Sequence, residues 1–149
     1  MEDPDVTEMK KNCNNREYVL QAVKDKGKLL EFAAPEFHDD EEIVKTALEQ
    51  DGESMEFVSD RLKDNKDLML LAIKGAPWTA CYASDRLRAD KDVIMASVKT
   101  YGQTLYFASE KYAASIIVTT VIANNIFFFI FHFHHLSFVF FIFHSFLMS

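Results

Sequence analysis

The stretches EFVSDRLKDN, CYASDRLRAD and YFASEKYAAS begin at Glu56, Cys81 and Tyr106, at strict intervals of twenty-five residues. The same interval separates Gly27, Gly52, Pro77 and Gly102. Other columns keep the register without insertion or deletion: Asn15, Asp40, Asn65, Asp90; Val23, Leu48, Ile73, Val98; Phe32, Phe57, Tyr82, Phe107; and Phe37, Leu62, Leu87, Tyr112. A period of this length is the mark of a stacked-repeat architecture, in which a unit too small to hold a core buries its apolar side on its neighbour. One copy orders about twenty-five residues and buries only a few large side chains, so it cannot offset its own chain entropy.

The first half of each copy reads as an α-helix. Asn or Asp is a preferred N-cap, and Glu17, Glu42, Asp67 or Asp92 follows two residues later, where the helix dipole favours an acid. Apolar pairs then recur one turn apart, as Ile43, Val44, Ala47 and Leu48 or as Val93, Ile94, Ser97 and Val98, which is a helical and not a strand period. Lys24, Lys74 and Lys99 suit the last turn, whereas Glu49 breaks that column. The glycine column is expected to end each helix in the left-handed conformation. Pro77 cannot adopt it, so Gly75 is expected to take over that role and Pro77 to open the next helix at its first position.

The second half carries another apolar helical stripe, with Leu30, Met55, Ala80 or Leu105 three residues before Ala33, Val58, Ala83 or Ala108. Ser59, Ser84 and Ser109 each precede an acid. Two readings fit them equally: N-caps of a final turn, or hydroxyls facing water in a continuous helix. The fold class expected is all-α, an α-solenoid of four copies (14–39, 40–64, 65–89 and 90–113) between a polar segment, 1–13, and a hydrophobic tail, 114–149.

The blocks DKDVIMASVKTYGQTLYFASEKY and NKDLMLLAIKGAPWTACYASDRL resemble the tandem repeats of the uncharacterised family called domain of unknown function 4116. The resemblance covers roughly residues 14–113 and is strongest from Asp40 onward; the first copy departs by carrying Ala34 and Pro35 where later copies have Ser and an acid. It implies an all-helical repeat. It brings no activity and no catalytic residues with it.

No Gly-rich phosphate loop, zincin motif or nucleophile elbow occurs in the chain, so no catalytic, cofactor-binding or metal-ligating residue is assigned, no small-molecule substrate is expected, and the chain is read as a non-enzyme. The net charge of −7 supplies no basic excess to neutralise phosphates, which argues against nucleic acid as partner. The acid–base pairs of the SDRL and SEKY blocks read as a solvated outer face. Trp78 could anchor a partner, but a half-buried core position is the expectation. Cys81 reads as a small apolar residue, and with Cys13 it has neither metal spacing nor disulfide density, which points to a reducing compartment. His132, His134, His135 and His144 lack the thiols or carboxylates that a metal site calls for.

Every Asp, Glu, Lys and Arg lies at or before Lys111, and ten of the fourteen Phe follow Asn125. A charge-free run of this length exceeds the roughly 20 residues that a membrane-spanning helix needs. The candidate transmembrane span is 126–148, with the repeats and their lysines on the cytoplasmic side, although intramembrane histidines are costly. Acidic, polar MEDPDVTEMKKN has no apolar core of a secretory signal. The expected role is a protein-binding scaffold with a C-terminal membrane anchor. The alternative is a fragment of a larger repeat-containing enzyme or regulator, its tail translated from T-rich DNA and its location cytoplasmic, since Ile116 and Ile117 replace the charged pair and no Gly arrives at position 127.

Overall fold

The computed structural model describes residues 3–102, 104 and 108. The hydrophobic tail 114–149, its candidate span 126–148 and the four tail histidines lie outside the described residues. Within them every element is helical: α1 (Pro4–Lys11), α2 (Arg16–Asp25), α3 (Glu41–Gln50), α4 (Asp60–Lys63), α5 (Lys66–Gly75), α6 (Asp85–Arg88) and α7 (Lys91–Thr100), with 3-10 helices η1 (Gly27–Phe32), η2 (Pro35–Asp39), η3 (Gly52–Phe57) and η4 (Pro77–Tyr82). No described helix is long and apolar enough to cross a membrane.

A copy is therefore a ten-residue α-helix, a six-residue 3-10 helix and a short closing turn. The α-helices start where the sequence places their caps. Asn15 Oδ1 accepts the Tyr18 N–H at 3.1 Å, Asp40 Oδ1 those of Glu42 and Ile43 at 3.0 and 3.2 Å, and Asn65 and Asp90 repeat the pattern. The second apolar stripe is 3-10 and not α. Three residues per turn put Leu30 above Ala33 and Met55 above Val58, one face toward the core, in a run as short as this geometry favours. The serine ambiguity resolves to caps: Ser59 Oγ accepts the Leu62 N–H and Ser84 Oγ the Leu87 N–H, opening α4 and α6. Ser109 lies outside the described residues.

The helix ends overturn one expectation. No glycine in the described repeats takes a left-handed φ. The chain leaves each α-helix one residue earlier, through Lys26, Asp51, Ala76 and Tyr101, all extended at φ between −140° and −148°. Gly75 likewise supplies no left-handed cap; it is the last residue of α5. The glycines are needed for space. A β-carbon on Gly27 would collide with the carbonyl oxygen of Ala47, and one on Gly52 with that of Ala72, so the corner of one copy rests on the helical backbone of the next. Pro77 opens η4 at its first position, as expected.

Contacts join consecutive copies. Helix α2 packs on α3, α3 on α5 and α5 on α7, while η1 meets η3 and η3 meets η4; each of η1, η3 and η4 also lies between the α-helix of its own copy and that of the following one. The apolar columns fill the space between: Val23, Leu48 and Ile73 are buried, as are Leu30, Met55 and Ala80 and then Phe37, Leu62 and Leu87. Val98, at the last described helix, is only partly buried. At the other end lies an element for which the sequence analysis assigned nothing: α1, capped by Asp3 and opened by Pro4, buries Met9 fully and is tied to the first copy by Lys26, whose ammonium pairs with Asp3 at 3.1 Å and with Asp5.

Gly52→Ala pushes a methyl group into the Ala72 carbonyl and should cost about 1–3 kcal/mol, the range for overpacking a filled site. Gly102→Ala, with nothing described within 4 Å of the added carbon, should leave the midpoint of thermal unfolding within a degree or so of the parent. Equal losses for the two variants in circular-dichroism melts contradict the assignment.

Candidate functional site

Two sets of polar links run along the outside of the stack, and both cross from one copy to the next. In the first, the guanidinium of Arg16 on α2 donates to Asp40 Oδ2 at 2.8 Å and to Glu42 Oε2 at 2.6 Å on the start of α3. Lys66 on α5 repeats this toward α7, reaching Asp90 at 2.9 Å and Asp92 at 2.8 Å. In the second, Arg61 holds both carboxylate oxygens of Asp39 at 3.0 Å while Ser59 Oγ donates to Asp39 Oδ1; Arg86 and Ser84 hold Asp64 in the same way. The cap serine thus works twice, accepting from its own helix and donating to the preceding copy.

The SDRL blocks are accordingly an outer face, but their arginines do not pair with the acids beside them. Arg61 and Arg86 bind Asp39 and Asp64, twenty-two residues earlier. This was missed because sequence adjacency suggests a pair that the helix does not bring together: i and i+1 side chains diverge. Twenty-two residues is one period less three, an offset that the repeat itself could have supplied.

These contacts set the local electrostatics. Asp39 and Asp64 titrate below the ordinary carboxylate range, chiefly because the Ser59 and Ser84 hydroxyls donate to them and then because of the guanidiniums. Asp40 is held down by Arg16. Lys66 is held protonated by Asp92 and Asp90, and Lys28 by Glu53 of the next copy. Burial pushes the Cys81 thiol up, in keeping with a partly enclosed, unreactive side chain.

Three features stand out on the described surface. A groove of about 490 Å³ runs between α2 and α3, lined by Leu20, Lys24, Glu42, Thr46, Glu49 and Gln50. Trp78, expected half-buried in the core, stands 45 % exposed at the corner of the third copy, and Tyr101 is 39 % exposed. Pro77 starts η4 there, and the position after the corner faces outward in the first copy too, where Lys28 is exposed. Among the described residues no group of His, Cys, Asp and Glu could hold a metal, and the tail histidines lie outside them.

The family model described as "domain of unknown function (DUF4116)" matches residues 15–63, 40–80 and 65–112. The chain belongs to this family. The three matches start at Asn15, Asp40 and Asn65, the N-caps of α2, α3 and α5, so the family unit begins where the structural copy begins. No curated protein matches the chain, and no solved structure does. For this member of the family the tandem repeat is established.

The paired carboxylates give the stack a defined pH response. Their folded-state affinity for protons is lowered, so the unfolded chain, with carboxylates near pKa 4, binds protons first as pH falls. Their contribution to stability is complete above about pH 4 and disappears as pH drops through the folded-state values. Asp64→Asn should flatten this acid limb in urea midpoints measured from pH 5 to pH 2; an unchanged slope contradicts the clasp.

Proposed function

We propose that this DUF4116 member is an α-solenoid scaffold that binds another protein along its outer face and performs no catalysis. The observation that carries this is Trp78. Its column holds Lys28 in the first copy and Glu53 in the second, which pair with one another across the copies, and the third copy puts there a large aromatic ring that is 45 % exposed. Inward columns keep one apolar character throughout, whereas this outward column changes from cation to anion to indole. A frame that repeats while its exposed side chains vary is suited to specific recognition, and tryptophan is the residue most enriched where binding energy concentrates. The reading extends to the tail: 126–148, free of Asp, Glu, Lys and Arg, would anchor the repeats to the cytoplasmic side of a membrane.

A photo-crosslinking amino acid at position 78 of the full chain in cells should capture one predominant protein, and the same probe at Glu17 should not. Identical products from both positions, or none from 78, sink the scaffold role at this corner. The anchor is tested separately. The full chain should resist alkaline carbonate extraction and a chain lacking 126–148 should be released; release of both removes the membrane from the account.

A further inference from the structure

The four α-helices begin alike, but the residue just after the cap is Arg16, Glu41, Lys66 and Lys91. Where it is cationic and its partners are described, it reaches across the junction with offsets of twenty-four and twenty-six residues. Arg16 does so to Asp40 and Glu42, and Lys66 to Asp90 and Asp92. From Glu41 the same offsets lead to Asn65 and Asp67. Asn65 Oδ1 accepts the Asp67 and Leu68 N–H groups at 3.0 and 3.3 Å, and the Asn65 amide makes no hydrogen bond to Glu41. Toward Asp67 it is a like charge. Among the described residues Glu41 enters no ion pair.

The other links at this junction are intact. The Asp64–Ser84–Arg86 clasp crosses it, and Gly52 rests on the Ala72 backbone at the far ends of the helices. The second junction is thus pinned at its turn and at its glycine corner, and unlinked where α3 and α5 begin. The first junction has the Arg16 bridge as well as its clasp. The third has the Lys66 bridge, while Ala89 stands where a clasp would need an acid.

We infer that, of the three contacts between helix starts, the one between α3 and α5 is the compliant one, and that Glu41 keeps it so. The starts of α3 and α5 separate and close there while the buried columns stay packed, which changes the bend of the stack at one defined place. The inference is independent of the scaffold role, because it concerns the chain without a partner.

Three equivalent amides report on the three junctions: Val44, Met69 and Ile94, each donating to the carbonyl of its own cap residue, Asp40, Asn65 and Asp90, at 2.9, 3.0 and 3.1 Å. In hydrogen exchange of the full chain in detergent micelles, corrected for intrinsic rates, Met69 should exchange faster than Val44 and Ile94. Glu41→Arg restores the missing link to Asp67 and should slow Met69 roughly two- to five-fold, the span of an exposed ion pair, with the gain lost in high salt. Arg16→Glu should import the opening and speed Val44 by a similar factor. Met69 exchanging no faster than the other two, or Glu41→Arg and Arg16→Glu leaving their reporters unchanged, overturns the inference.

Discussion

A ten-residue α-helix does not persist in water on its own, since helices below about 12–15 residues are marginal even in favourable sequences. Each long helix of the repeats, α2, α3, α5 and α7, has ten residues. Their stability must come from capping and from the neighbouring copy, and both are built into the period. The cap side chains satisfy the first N–H groups, the apolar pairs close on the next helix, and the 3-10 segment wedges between two α-helices. The close approach of Gly27 to Ala47 and of Gly52 to Ala72 brings the copies near enough for this wedge to fill the space.

The polar links are of a different kind. Arg61 is 63 % exposed and Asp39 45 %, so solvent and salt screen their attraction and it adds little to stability. Their offsets, however, are geometric: twenty-two for arginine to the clasp acid, twenty-four and twenty-six for the helix-start bridge. A slip of one copy against the next would disturb all of these offsets together, and at an offset of twenty-five it would set Lys66 opposite Lys91. Apolar burial holds the copies together, while the charged rim selects the one register in which they meet.

The sequence made the repeat, its register, the cap residues and the inward columns legible, because each depends on local chemistry or on strict periodicity. Asn15, Asp40, Asn65 and Asp90 cap as their residue types dictate, and the family assignment follows the same units. What the sequence hid was non-local. Glycine is read by habit as a left-handed cap, but Gly27 and Gly52 are glycine because of a carbonyl twenty residues further on, which is invisible until two copies are stacked. The 3-10 form of the second half was hidden because its apolar spacing of three is shared with an α-helix. Met9 was hidden because a single methionine in a polar segment carries no period. Trp78 was misjudged because aromatic residues are more often core, whereas its column, which holds Lys28 and Glu53 in the first two copies, faces outward.

That corner shows how one repeat tolerates different chemistry. In the first copy the Gly27 N–H donates to Gln50 Oε1 at 2.5 Å, a side chain reaching back from the end of α3. One copy on, the counterpart of Gln50 is Gly75, which has no side chain to reach with, and the space it leaves is filled by closer backbone: a β-carbon there would lie 3.3 Å from Gly52 N. One copy further, Pro77 has no N–H at all, so nothing is required of the matching position, Thr100. The frame keeps this corner closely packed and leaves the means open from copy to copy. Freedom of that sort, under a fixed inward pattern, lets the third copy exchange an ion-paired position for an exposed indole without disturbing the columns beneath it.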